Sequence, residues 1–293
     1  KKPILKGIDQ QYSILTKAGG KVQQVSATAD SRYRVDIEQA VAVPGTAVVK
    51  LLDPTTGDRK SYYVNFGYKG TCDDFDSGLG KQWQVVRPDA GNMTVADGKL
   101  TITTGKGDIN QANNNASNIV LQSANTDWHI QTLLKTDAVP GVPAQNAGLV
   151  VYQDDDNFLK LVYTAQSGMG GRGAQNVQGA VGAARNGVIQ LGAELDGTFK
   201  VFANIRLERD PGQDGILLRI EKEGSRYSAM YSYDAFEFIE AGGVDMMLKD
   251  IQVGMIACDG VQMSMGRGGF GGGMRQGGVQ QAAPSTVPMQ ATF

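Results

Sequence analysis

The sequence predicts an all-β chain: a small sandwich followed by a larger sandwich of jelly-roll type. Three observations carry this. Short alternating apolar runs recur along the 293 residues, separated by Gly, Asn and Asp turns. Helical periodicity is nearly absent, and the one short candidate, Tyr233–Ala241 (YDAFEFIEA), alternates well enough to be a strand. The pattern breaks near Tyr68-Lys69-Gly70, which divides the chain into 1–69 and 70–293. Many short strands at regular spacing argue for sandwiches.

In the first part, residues 21–67 read as a small sandwich with strands near Val22–Ala27, Arg34–Gln39, Ala47–Leu52 and Lys60–Phe66. The stretch Asp53–Phe66 (DPTTGDRKSYYVNF) places turn residues ahead of an alternating strand, as a hairpin requires. Residues 1–20 belong either to this unit or to a preceding linker. In the second part, strands are expected at Lys99–Thr103, Asn118–Gln122, Trp128–Lys135, Gly148–Gln153 and Asn157–Tyr163. The series continues at Gly187–Leu191, Lys200–Leu207, Ile216–Lys222 and Arg226–Tyr233. Two segments interrupt it. Gln166–Asn186 contains GMGGRG, and Asp259–Gly278 has nine Gly in twenty positions. Such runs bury little and cost much entropy to order, so they read as long loops at one end of the sandwich. Met263, Met265 and Met274 offer soft sulfur, but lack the nearby His or Cys that a copper site would use.

Composition narrows the function. With 28 basic and 30 acidic residues the formal charge is −2, without the basic excess of a nucleic-acid binder. No apolar run reaches the roughly 18 residues of a membrane span. A single His, His129, excludes a His-rich metal centre. The two Cys, Cys72 and Cys258, exclude a zinc ribbon and are too far apart for a C-x-x-C redox pair. They read equally as one disulfide or as two unpaired core thiols. No phosphate loop or βαβ pattern occurs. The chain opens on Lys1-Lys2-Pro3 without a signal peptide and stops at Phe293 within a strand pattern, as a piece of a larger protein would.

From Cys72 the chain runs CDDFDSGLGKQWQVVRP, DGKLTITTGKGD, DWHIQTLLKT and NAGLVVYQDDDNFLKLVY. Asp74-Phe75, Trp83 with Arg87, Gly98-Lys99-Leu100 and Asp127-Trp128 carry a resemblance. The most specific piece is Ala147–Tyr152 followed by Asp156–Leu161. Together they resemble the concanavalin A-like β-sandwich at the C-terminus of family 43 β-xylosidases, over about residues 71–293. The two Gly-rich segments depart from it. The strand Tyr62-Tyr63-Val64-Asn65-Phe66 resembles the closing strand of immunoglobulin-like spacers in secreted bacterial glycoside hydrolases. The resemblance implies an accessory or carbohydrate-binding role outside the bacterial cytoplasm (secreted, periplasmic or cell-surface). Its expected partners are a polysaccharide such as xylan and a separate catalytic domain.

Strand alternation assigns faces. Trp128, Ile130, Thr132 and Leu134 are expected in the core, as are Leu159, Leu161 and Tyr163. An outer concave face would then carry His129, Gln131, Tyr152, Phe158 and Lys160. A sugar site needs an aromatic platform for C–H groups and polar groups for hydroxyls, and this set supplies both. Each member also has a plainer reading, Phe158 as core and Lys160 as a solvated side chain.

Acids cluster at Asp73, Asp74 and Asp76 and at Asp154–Asp156. The Glu-x-Asp-x-x-Glu pattern of glucanases of the same superfamily is missing, so catalysis by this chain alone is not expected. A hydrolase or lyase built on the sandwich, or a purely structural brace, are the competing readings. Structural calcium is the one cofactor expected. Asp74 and Asp259 are its candidate ligands, because the ends of such a sandwich tend to lie together and Cys72 and Cys258 precede these acids.

Overall fold

The computed structural model describes residues 8–16, 22–43, 45–68, 73–111, 113–124, 127–141, 144–165, 187–212, 214–234, 237–260 and 287–293. The expectations for Cys72, Gln166–Asn186 and the Met- and Gly-rich stretch after Gly260 lie outside these residues. Among them the secondary structure is entirely strand and loop.

The N-terminal unit is one four-stranded sheet of β1 (Ile8–Thr16), β2 (Arg34–Glu38), β3 (Gly45–Leu52) and β4 (Arg59–Tyr68), in the order β1-β4-β3-β2. β1 runs parallel to β4, and the other pairs are antiparallel. The β3–β4 hairpin closes as expected, with the Asp53 N–H donating to the Asp58 carbonyl and the Gly57 N–H to the Asp53 carbonyl. The expected first strand at Val22–Ala27 is not one. That stretch is irregular chain fastened by Gln39, whose side chain bonds the Val25 N–H and carbonyl at 2.8 and 2.7 Å. Val22 and Val25 pack on one face of the sheet with Ala40, Ala47, Val64 and Phe66. A single sheet covered by irregular chain therefore stands, among the described residues, where a two-sheet sandwich was expected.

The larger unit holds β5 (Gln84–Val86), β6 (Met93–Ala96), β7 (Lys99–Thr103), β8 (Ile109–Asn110), β9 (Asn113–Asn114), β10 (Ile119–Ser123) and β11 (Trp128–Thr136). It continues with β12 (Asn146–Asp154), β13 (Asn157–Thr164), β14 (Val188–Leu195), β15 (Thr198–Arg206), β16 (Ile216–Glu223) and β17 (Arg226–Ser232). β18 (Ile239–Asp245), β19 (Gln252–Cys258) and β20 (Gln290–Thr292) complete it. Two seven-stranded sheets face each other, ordered β15-β14-β13-β12-β19-β10-β5 and β18-β17-β16-β11-β20-β7-β6. Of the ambiguous Tyr233–Ala241 segment, Ile239–Ala241 open strand β18.

The period-two pattern explains the core. Leu149, Val151, Leu159, Leu161, Tyr163, Val253 and Met255 point from the first sheet against Ile130, Leu134, Leu218, Ile220 and Tyr231 of the second, all buried. Each such side chain contributes about 1.5–3 kcal/mol on leaving water. Strand ends set the loop geometry. Thr164, Val188, Asn146 and Cys258 are neighbours across β12, β13, β14 and β19, so these strand ends lie together at one end of the sandwich.

The two units touch. Val48 and Tyr63 of the small sheet form a shared apolar cluster with Leu217, Leu133 and Phe238 of the second large sheet. The Ser61 hydroxyl donates to the Asp234 carbonyl at 2.7 Å, and Arg59 lies 3.5 Å from the Asp234 carboxylate.

Candidate functional site

The five residues expected on one sugar-binding face divide between two sheets. Tyr152, Phe158 and Lys160 stand on β12 and β13 of the first sheet, whereas His129 and Gln131 stand on β11 of the second. Alternation turns each away from the core between the sheets, but the two outer faces look in opposite directions. The expected convergence is therefore not formed.

On the first sheet the outer face is covered by the chain itself. Residues 104–118, including the short β8–β9 hairpin, lie across it. Ile109 and Ala116 pack on Tyr152, Phe158, Val150, Val162, Leu121 and Ile256 in a second apolar cluster. Phe158 and Lys160 are buried beneath this strap, so neither meets solvent as a sugar platform would. Phe158 stacks at a tilt on Phe199, 6.1 Å between ring centres, and the Lys160 ammonium sits 5.6 and 5.4 Å from the two rings.

Polar tethers hold the strap. Lys160 Nζ pairs with Asp108 Oδ1 at 3.3 Å. The Gln111 N–H donates to both Glu194 carboxylate oxygens at 3.0 and 2.9 Å. Asn114 Nδ2 donates to Asp156 at 2.8 Å, and Arg87 Nε donates to the Ala116 carbonyl at 2.6 Å. Arg87 also grips Asp155 through two bonds of 2.8 and 2.9 Å, and the Tyr152 hydroxyl donates to the same carboxylate at 2.9 Å. Burial and the bond to Asp155 push the Tyr152 phenol well above its ordinary range. Burial also raises Glu194, only partly offset by the Gln111 N–H. The sequence signal for the strap was slight: two apolar residues, Ile109 and Ala116, inside a polar run.

On the second sheet, His129 is exposed and pairs across the strands with Glu221, while Gln131 pairs with Arg219. Gln131 Oε1 accepts from Arg219 at 2.8 and 2.6 Å, and Arg219 stacks 4.0 Å over the Phe238 ring. Desolvation and the Arg219 charge hold the His129 imidazole below its ordinary range.

The expected calcium pair is also apart. A Cβ built on Gly98, just before β7, would lie 3.4 Å from the Asp74 carbonyl, whereas the Asp259 N–H donates to the Gly105 carbonyl just beyond β7. At about 3.3 Å per extended residue, on the order of 20 Å separates them. Asp74 accepts from the Asp76 N–H, and buried Asp259 accepts from Gln145 Nε2 at 2.8 Å. Among the described residues no three His, Cys, Asp or Glu side chains gather as metal ligands would. The reason is topological: β7 crosses the sandwich between the two acids. Cys258 is a buried free thiol, with burial raising its pKa and Asn146 donating to its sulfur at 3.4 Å. Among the described residues no helix is long and apolar enough to cross a membrane.

The sequence profile of the β-xylosidase C-terminal concanavalin A-like domain matches residues 72–262. No curated protein sequence matches significantly. The GH43 protein BlXynB of Bacillus licheniformis is similar in structure at TM-score 0.54 and 16% identity, over 91% of this chain and 54% of that one. The xylan β-1,4-xylosidase of Bacillus halodurans C-125 gives 0.52 at 14% identity, over 84% and 50%. GH43B of the Bacteroides ovatus xyloglucan locus gives 0.51 at 15%, over 85% and 51%. At these identities the likeness is one of fold, and the chain spans about half the length of each of these proteins.

Proposed function

This chain belongs to the family of β-xylosidase C-terminal concanavalin A-like domains through residues 72–262, and from that premise we propose that it is a non-catalytic accessory module of a secreted glycoside hydrolase. Its work is to brace and place a catalytic domain. The observation that carries this reading is the closed outer face of the first sheet, where the strap fills the groove that a sugar would need. The carboxylates around that face support it too. Asp108, Asp155, Asp156 and Glu194 are each engaged by a donor of the chain rather than aimed as a pair across an open cleft.

Polysaccharide binding is the second reading. The outer face of the other sheet favours it, where exposed His129 and half-buried Gln131 lie beside Arg219 and Glu221, next to the joint with the N-terminal sheet. Xylan is named for one structural neighbour and is the first polymer to try. The test is incubation of the chain with insoluble and soluble xylan, arabinan and glucan, measuring depletion and released sugars together. The accessory role predicts no released sugar on any polymer. Retention that His129→Ala and Gln131→Ala weaken would establish the second reading, and released oligosaccharides would overturn both.

A further inference from the structure

The small N-terminal sheet carries a cavity of its own. On the face shared with Val48 and Tyr63, register places Arg34 opposite Leu52 and Leu52 opposite Arg59, with Asp36 opposite Lys50 in the next row. These five residues line an open cavity of about 210 Å³ beside the joint with the sandwich. Neighbouring strands lie about 4.8 Å apart, so the two arginine backbones stand roughly 10 Å apart on either side of Leu52.

The groups differ in how far they are already committed. Lys50 is buried and pairs with Glu38, and Arg59 lies 3.5 Å from Asp234. The exposed side chains of Arg34 and Asp36 make no ion pair or hydrogen bond among the described residues. The rim therefore offers a guanidinium fork, suited to a carboxylate, and a carboxylate, suited to hydroxyls. The floor between the arginines is the apolar Leu52 side chain, which can lie against the C–H face of a ring.

We infer that this cavity binds a carboxylate-bearing sugar residue. Arg34 grips the carboxylate, Asp36 accepts from ring hydroxyls, and Arg59 closes the far side. This adds a glycan contact to the accessory role and places it on the N-terminal sheet, away from the strapped face.

The test is NMR titration of the full chain with sodium glucuronate, glucose and acetate in parallel. Glucuronate is expected to give saturable shifts at residues 34–36, 50–52 and 59, weakened about tenfold or more by Arg34→Ala. Asp36→Asn is expected to weaken glucuronate but not acetate. Equal binding of glucose would overturn the carboxylate assignment, and equal binding of acetate would overturn the sugar. No saturable shift, or an unchanged affinity in Arg34→Ala, would overturn the site itself. Arg34 is exposed, so its variant retains the fold, which the unperturbed spectrum verifies. None of these outcomes decides the accessory role, which is read by sugar release.

Discussion

Lys160 Nζ lies 3.3 Å from Asp108 Oδ1 with both side chains almost wholly buried, and this pair pins the strap to the first sheet. Removing one partner strands a buried charge, which costs about 3–5 kcal/mol. Asp108→Ala is therefore expected to lower stability by that order in urea unfolding, and to expose residues 104–118 to limited proteolysis. Replacing both partners by apolar residues, Lys160→Met with Asp108→Leu, is expected to recover most of the loss. A double variant as unstable as the single would contradict the pairing.

Gly254 sits where β10 and β19 meet. A Cβ there would lie 1.8 Å from the Val120 carbonyl oxygen, and the backbone of a central strand has nowhere to go. Gly254→Ala is expected to cost about 3 kcal/mol or more, or to abolish soluble folding. The same exchange at Gly197, with nothing within 4 Å of the added carbon, meets only the strain of its positive φ and serves as the milder control. Thermal unfolding of the two variants side by side measures the difference.

Tyr63 is wholly buried in the joint between the units, and its hydroxyl has no hydrogen-bond partner among the described residues. Burial pushes its phenol well above the ordinary range. An unpaired buried hydroxyl carries a desolvation cost of about 1–3 kcal/mol. Tyr63→Phe is expected to leave stability unchanged or raise it, whereas Tyr63→Ala removes the ring that fills the joint and is expected to cost about 3–5 kcal/mol. A clear loss in Tyr63→Phe would show that the hydroxyl is paired after all.

Glu194 gives the chain a pH dependence of known sign. Its carboxyl holds its proton more tightly in the folded chain, chiefly through burial, so folding is favoured at low pH. That advantage fades as pH rises from the ordinary carboxylate range of the unfolded chain through the raised value of Glu194. Glu194→Gln keeps an acceptor for the Gln111 N–H without the charge. It is expected to be more stable than the parent at neutral pH and to flatten this part of the profile, as denaturation at several pH values would show.

The sandwich was legible because alternation is a local signal. Leu159, Leu161 and Tyr163 are core residues simply because they share parity along one strand. What covers the opposite parity is not local. Phe158 and Lys160 lie on the face opposite the main core, but the segment that buries them begins some fifty residues earlier and reads as a polar loop. His129 and Tyr152 likewise share parity rules but not a sheet, because strand order is set by long-range pairing. Asp74 and Asp259 are apart for the same reason, since β7 separates them. The Arg34–Leu52–Arg59 row arises from register across three strands, which no single stretch of sequence displays.

The most direct test of the closed face is hydrogen exchange of the intact chain, followed at the Gln111 and Ala116 amides with and without xylo-oligosaccharides. The Gln111 amide bonds Glu194 of the sheet, and the Ala116 amide bonds the Asp108 carbonyl within the strap itself. The account predicts slow exchange at both, unchanged by sugar. Fast exchange, or protection that shifts when oligosaccharide is added, would mean that the strap opens and that the groove over Phe158 is a binding site.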